Sequence, residues 1–164
     1  MRHLFMMMMT VAVLMMASSV PFVAAQGTGR TPASKTGARD AKDVAAIRSV
    51  LDAQAAGWNR GDIDAYMDGY MRSPDTVLVS GDNVTRGWQV VLDRYKKNYN
   101  SREKMGQLSF TEIEVNLLGK DAAMAMGRWQ LTRAGDTPHG RFTLIFRRAP
   151  QGWRIVHDHT STAE

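Results

Sequence analysis

His157, Asp158 and His159 stand side by side in the run Gly152-Trp153-Arg154-Ile155-Val156-His157-Asp158-His159-Thr160-Ser161. Two imidazoles and a carboxylate are side chains from which acid–base pairs and metal sites are built. The run reads as a terminal strand. Successive strand side chains take opposite faces, so His157 and His159 share one face and Asp158 takes the other. The two histidines could chelate a transition metal, with His139 as a distant third ligand. Packing is the competing reading. If Ala149 to Gly152 is the turn, Arg148 faces Trp153, and His157 then lies opposite Leu144 and His159 opposite Phe142. Trp153, Ile155 and Phe146 share that face. A mostly apolar face fits a core or a subunit interface better than a metal centre, so neither a metal nor another cofactor is expected. The opposite face carries Thr143, Ile145, Val156, Asp158 and Thr160. A single β-bulge would exchange the two faces.

Arg128 is the other charged candidate, set mid-strand between Met126 and Trp129. A buried guanidinium needs a partner. Either Asp158 supplies it, or the arginine awaits an anionic ligand such as a carboxylate. Tyr66 and Tyr70 lie four apart on one helix face and could offer hydroxyls at a cavity mouth, or simply pack. Trp88 and Tyr95 read as core residues of a helix stripe. Asp82, in Gly81-Asp82-Asn83, reads as an ordinary turn residue.

Those residues must be positioned by a recognisable series of elements. Asp40 stands as an N-cap before Val44, Ile47, Leu51, Gln54 and Trp58, whose spacing of three and four marks one helix face. Gly61 ends that helix, and Asp62 caps a shorter one from Ile63 to about Met71. Thr76 to Ser80 is a strand, turned by Gly81-Asp82-Asn83 into Val84-Thr85-Arg86. Trp88, Val91, Leu92 and Tyr95 make a third helical stripe. Long strands follow at Gln107 to Leu118, Ala122 to Arg133 and His139 to Arg148, then the terminal run, joined by short Gly- or Pro-containing turns as an antiparallel meander. Helices gathered ahead of a meander give an α+β fold. Three helices packed into a strongly curved sheet would leave a conical cavity.

Met1-Arg2-His3, the apolar stretch Leu4 to Met16 and the small-residue ending Val23-Ala24-Ala25 form the three-part pattern of a secretory signal peptide. Cleavage is expected after Ala25, giving a periplasmic or secreted protein with no membrane attachment. Residues 26–39 hold no large apolar side chain and are expected to be a disordered linker, followed by one domain over residues 40–162. There is no cysteine among the 164 residues, which excludes thiol catalysis, disulfides and cysteine metal sites. The net charge of +5 is scattered rather than striped, so nucleic acid is not an expected partner.

The element order resembles the cone-shaped roll of the nuclear transport factor 2-like superfamily. Trp58-Asn59-Arg60-Gly61-Asp62-Ile63-Asp64-Ala65-Tyr66 is similar to its first helix-to-helix junction. Gly127-Arg128-Trp129 with the terminal run resembles the SnoaL-like branch and the association domain of calcium/calmodulin-dependent kinase II. The resemblance spans roughly Asp40 to Ser161. It implies pocket roles for Tyr66 and Arg128, which stand where the association domain has a pocket tyrosine and arginine. Other positions depart. The proton-shuttling aspartate of ketosteroid isomerase falls at or near Val79, its oxyanion tyrosine near Gln54, and two further pocket arginines near Thr143 and Thr160.

The resulting expectation is an exported small-molecule-binding domain whose cavity holds Arg128, Tyr66, Asp158, His157 and His159, with a homodimer as the assembly. The fold is expected to be α+β, with three N-terminal helices on a strongly curved antiparallel sheet. One alternative is a ketosteroid-isomerase-like enzyme (an isomerase, dehydratase or hydrolase) using Asp158 and a histidine as acid and base. The other is a dimerisation module built on the apolar sheet face, with the cavity collapsed; sedimentation as a monomer in the analytical ultracentrifuge would count against it.

Overall fold

The structure, a computed structural model, describes residues 35–163. The expected signal peptide and most of the expected linker lie outside the described residues. Helix α1 spans Lys35–Asn59, α2 Ile63–Met67, α3 Trp88–Asn98 and α4 Arg102–Met105; the strands are β1 Val77–Ser80, β2 Asn83–Arg86, β3 Gln107–Leu117, β4 Ala122–Thr132, β5 His139–Ala149 and β6 Gly152–Thr160.

The stripe on α1 faces the core as its spacing predicts: Ile47, Leu51, Gln54 and Trp58 are buried. The helix starts earlier than expected, so Asp40 lies inside it and residues 35–39 of the expected linker are helical. Once a long helix is nucleated, each added residue costs little, and Arg39 lies within 4.0 Å of Asp43 one turn on. Asp43 itself is buried, holding Arg148 at 2.6 Å and the Trp153 indole N–H at 3.4 Å. The Arg148 hydrogen bond holds the Asp43 carboxyl below the usual carboxylate range. The far end of α1 is clasped to β3: Asn59 donates to the Leu108 carbonyl at 3.0 Å and accepts from the Leu108 amide at 2.6 Å. Asp62 caps α2 as expected, accepting from Ala65 N at 2.9 Å, but the helix stops at Met67. The short α4 was not visible as a pattern. Ser101 caps it, accepting from Lys104 N.

The sheet order is β2-β1-β6-β5-β4-β3. The meander from β3 to β6 is antiparallel as expected, but the whole sheet is mixed, because β1 pairs parallel to β6 with Leu78 opposite Asp158. A long connection runs from β1 through β2, both following helices and the meander before the chain returns beside β1, which lets the two strands run the same way.

Two irregularities curve the sheet. In β3 one extra residue lies between Thr111 and Glu114, and Glu112 takes φ 52° there. Gly127 sits across from this bulge, and a Cβ on it would lie 2.4 Å from the Phe142 ring; only a glycine lets that ring lie so close to the backbone. In β6 the extra residue is Val156. Ile155 pairs with Phe146 and His157 with Ile145, so two steps on β6 match one on β5. A bulge of this kind bends the strand and reverses the alternation beyond it. The buried side chains Trp153 and Ile155 precede it, and Asp158 follows on the same inner face.

Candidate functional site

A cavity of about 150 Å³ lies between the helices and the inner sheet face. Its floor and walls are buried apolar and aromatic side chains, among them Tyr66, Tyr70, Leu78, Leu108, Phe142 and Leu144. Its rim carries half-buried Arg94 with exposed Asn98 and Thr162.

Asp158 is the one carboxylate in the lining, and it is 5% exposed. The β6 bulge puts it opposite Leu144 and puts Thr160 opposite Phe142, the two places where unbroken alternation would set His157 and His159. A second contact then brings it a partner. The segment after α2 lies along the edge of β6 ahead of the bulge: Met71 N donates to the Ile155 carbonyl at 2.8 Å and Ile155 N to the Gly69 carbonyl at 2.9 Å. This fixes Tyr70 beside Ile155, and its hydroxyl donates to Asp158 Oδ2 at 2.7 Å. Asp158 Oδ1 is buried and has no hydrogen-bond partner in the protein.

Burial pushes the Asp158 carboxyl up to about 6, and the hydrogen bond from Tyr70 works against that rise. Removing a carboxylate from water disfavours its charged form; a donor aimed at it favours that form. The tyrosine hydroxyls move the same way. Burial, followed by the nearby Asp158 charge, raises Tyr66 and Tyr70; burial, followed by Tyr66, raises Tyr95. All three therefore stay protonated and remain donors. Tyr66 Oη stands 3.5 Å from both Tyr70 Oη and Tyr95 Oη, making a loose row of hydroxyls that begins at the carboxylate.

The helices hold this row by packing. Trp58 meets Tyr66 edge-on at 5.1 Å and Tyr99 at 4.7 Å, and its indole N–H donates to the Met105 carbonyl at 3.0 Å. Gln54 donates to the Tyr66 carbonyl at 3.0 Å. Its side chain lies where a Cβ on Gly69 would come within 2.6 Å, so α1 and the segment after α2 approach as closely as that glycine permits. Across the cavity, Trp129 is tied to the chain's last residues by its N–H bond to the Ser161 carbonyl at 3.0 Å.

The expected site residues separate on this geometry. Tyr66 and Asp158 line the cavity. Arg128 does not: its neighbours Trp129 and Leu131 line it, and strand alternation turns Arg128 to the outer face, across from Arg141 and Thr111. It therefore cannot pair with Asp158. His157 and His159 also leave the cavity, since the bulge turns them outward, where they lie across from Ile145 and Thr143 on β5. They are half-buried and exposed respectively, so the hydrogen-bond partner of Asp158 is Tyr70 and not a histidine. Among the described residues no three His, Asp or Glu side chains gather as a metal site. Thr160 lines the cavity and Thr143 does not. Gln54 lines it, whereas Val79 is passed over for its neighbours Leu78 and Ser80.

Two lining residues of chemical interest escaped the sequence reading. Tyr95 belongs to the α3 stripe as expected, but the stripe continues through Asn98 and Tyr99 to the cavity rim rather than into solid core. Arg94 flanks that stripe; its place next to Tyr95 was the available signal.

Comparison with known proteins agrees with this architecture. Residues 47–163 match the SnoaL-like domain model. No curated protein matches the sequence. Among solved structures, an NTF-2 like protein of unknown function from Shewanella oneidensis MR-1 is 44% identical, with a TM-score of 0.69 over 72% of this chain and 98% of that one. A ketosteroid isomerase-like protein from Erwinia carotovora atroseptica SCRI1043 shares the fold at 21% identity, with a TM-score of 0.61 over 75% of this chain and 98% of that one. A nuclear transport factor 2 (NTF2-like) superfamily protein from Salmonella enterica serovar Typhimurium, also 21% identical, has a TM-score of 0.62 over 76% and 94%. The chain belongs to the SnoaL-like domain family and has the α+β fold of the nuclear transport factor 2-like superfamily.

Proposed function

We propose that this chain binds a small, single-ring organic molecule in the cavity, with Asp158 Oδ1 accepting a hydrogen bond from it. The observation that carries this reading is Asp158, a cavity-lining residue whose buried Oδ1 has no hydrogen-bond partner in the protein. A buried acceptor left unpaired costs about 1–3 kcal/mol, which a ligand donor would recover. The volume suits the size: a cavity of roughly 150 Å³ is filled by benzene. Phenol and anisole separate the two contributions, because only phenol carries a donor. By isothermal titration calorimetry phenol should bind about tenfold or more tighter than anisole, since a hydrogen bond to a charged group contributes about 1.5–3 kcal/mol. Asp158→Leu should remove that preference and leave anisole binding in place. Equal affinities for the two in the wild type would sink the reading.

A ligand site built at the expense of stability has a pH signature. The ordinary aspartate value is 3.8, and in the folded chain the carboxyl reaches about 6. Between those pH values the folded state holds a proton that the unfolded state has lost, so stability is full below about pH 4 and falls as pH rises through about 6. The loss is on the order of 2–3 kcal/mol from a shift of this size. Asp158→Asn keeps the shape without the charge. It should be more stable than wild type at pH 7.5 by that order, with the difference vanishing near pH 4, as read by urea unfolding. A variant less stable than wild type at pH 7.5 would show that the ionised carboxylate stabilises the fold instead.

A second reading, proton-transfer catalysis, is favoured by one observation: the buried carboxyl, pushed up to about 6, has a tyrosine row beside it. The fold is shared with a ketosteroid isomerase-like protein. Here Asp158 would take a proton from the carbon next to a ligand carbonyl, the electron pair would pass to the enolate oxygen held by a tyrosine hydroxyl, and the proton would return to carbon. No co-reactant is consumed. Solvent deuterium exchange into small cyclic ketones, followed by NMR, tests it. The rate should climb about tenfold per pH unit to about pH 6 and then level, and Asp158→Asn should lower it by about a hundred- to ten-thousand-fold. Exchange no faster than in buffer leaves binding as the whole function.

A further inference from the structure

Arg94 is the cation of the cavity, taking the place the sequence reading gave to Arg128. It sits on α3 with its side chain in the lining, half-buried at the rim. Among the described residues it makes no ion pair and one hydrogen bond, Nη1 to the neutral Thr85 hydroxyl at 2.7 Å. Arg60, Arg72, Arg133, Arg141 and Arg148 are matched to acids, whereas Arg48, Arg86, Arg128, Arg147 and Arg154, like Arg94, have no acid partner among the described residues; of these six only Arg94 lines the cavity. Arg102 is matched to the backbone carbonyls of Trp58 and Asn59. A guanidinium presents five N–H donors in a planar fork. At Arg94 one of them holds the side chain against β2, and the rest of the fork is left for an anion.

Two groups of opposite charge thus line one cavity, the only charged side chains among the described residues in its lining. Asp158 lies at the floor, 5% exposed, and accepts. Arg94 lies at the mouth and donates. An anionic group cannot approach Asp158 without charge repulsion in a medium that screens poorly, so it must stay at the rim. A group that donates a hydrogen bond is matched at the floor by the unpartnered Asp158 Oδ1. Between them the walls are aromatic, from Tyr95, Tyr99, Phe110 and Trp129, and suit the edge and face of one ring.

We infer that the ligand is a single-ring organic acid, held with its carboxylate on Arg94 at the mouth and its hydrogen-bond donor on Asp158 at the floor. This rests on the cavity-binding reading above and adds the ligand's charge and orientation. A free acid enters anionic end last. Its affinity depends on salt, because the half-buried Arg94 is partly screened, whereas a neutral ligand of the same ring does not share that dependence.

The test uses the whole chain and two probes, para-hydroxybenzoate and phenol, which share the ring and the donor and differ in the carboxylate. Calorimetry should show para-hydroxybenzoate binding at least about tenfold tighter than phenol at low salt, in line with a charge-assisted contact. Raising the salt should narrow the gap. Arg94→Gln should bring the acid to the level of phenol measured on the same variant, and Arg94→Lys should keep part of the preference. If phenol binds and the acid binds no tighter, or if Arg94→Gln leaves the preference intact, the Arg94 assignment falls and the cavity reading stands. If neither probe binds the wild type, the cavity reading falls and takes this inference with it.

Discussion

One extra residue in β6 decides what the cavity contains. Had the strand alternated without interruption, His157 and His159 would face inward and Asp158 outward. With Val156 inserted against β5, the inner face instead reads Trp153, Ile155, Asp158, Thr160. The bulge also divides the strand's free edge. Ahead of it, Ile155 exchanges hydrogen bonds with the segment that carries Tyr70; beyond it, the strand pairs with β1. A single local irregularity therefore supplies both the buried acid and the place where its tyrosine docks.

The acid's surroundings oppose its charge. Asp158 is enclosed by leucine, phenylalanine and tyrosine side chains, and Tyr70 gives it one hydrogen bond where an ionised carboxylate can take several. The surrounding structure is well satisfied by comparison. Asn59, Gln54, Trp58 and Asp43 all have partners, and among the described residues Asp158 Oδ1 is the only buried side-chain nitrogen or oxygen that lacks one. A polar atom left unmatched inside a matched core is a feature expected of a functional site, where local rules are broken and the rest of the fold compensates.

The fold was legible in the sequence because its signals are local. The three-and-four spacing on α1, the Gly61-Asp62 stop and cap, and the Gly- and Pro-containing turns of the meander each fix an element without reference to distant parts of the chain. The site was legible only in part, because its signals are not local. Tyr66 could be placed by its distance from the junction. Arg128 could not be excluded, since nothing in Gly127-Arg128-Trp129 says which face of the strand meets the helices. For the same reason the face of Asp158 turned on a bulge, and a bulge at Ile155-Val156 has no glycine to announce it. The helical start at Lys35 was missed because polar residues can extend a helix that is anchored elsewhere.

The position of the acid also distinguishes this chain from the isomerase it resembles. The resemblance sets that enzyme's proton-shuttling aspartate at or near Val79 on β1, where this chain has Leu78 and Ser80 facing the cavity. Asp158 is the parallel-strand partner of Leu78. Val79 itself pairs with His159, so Asp158 does not stand at the position the resemblance gives to that aspartate. The tyrosine that accompanies it comes from the segment after α2 rather than from α1, where Gln54 stands instead and is occupied in holding the Tyr66 carbonyl. With Arg94 and Asp158 both in the lining, the cavity offers a cation and an acceptor, a pairing set by these side chains and not by the fold that carries them.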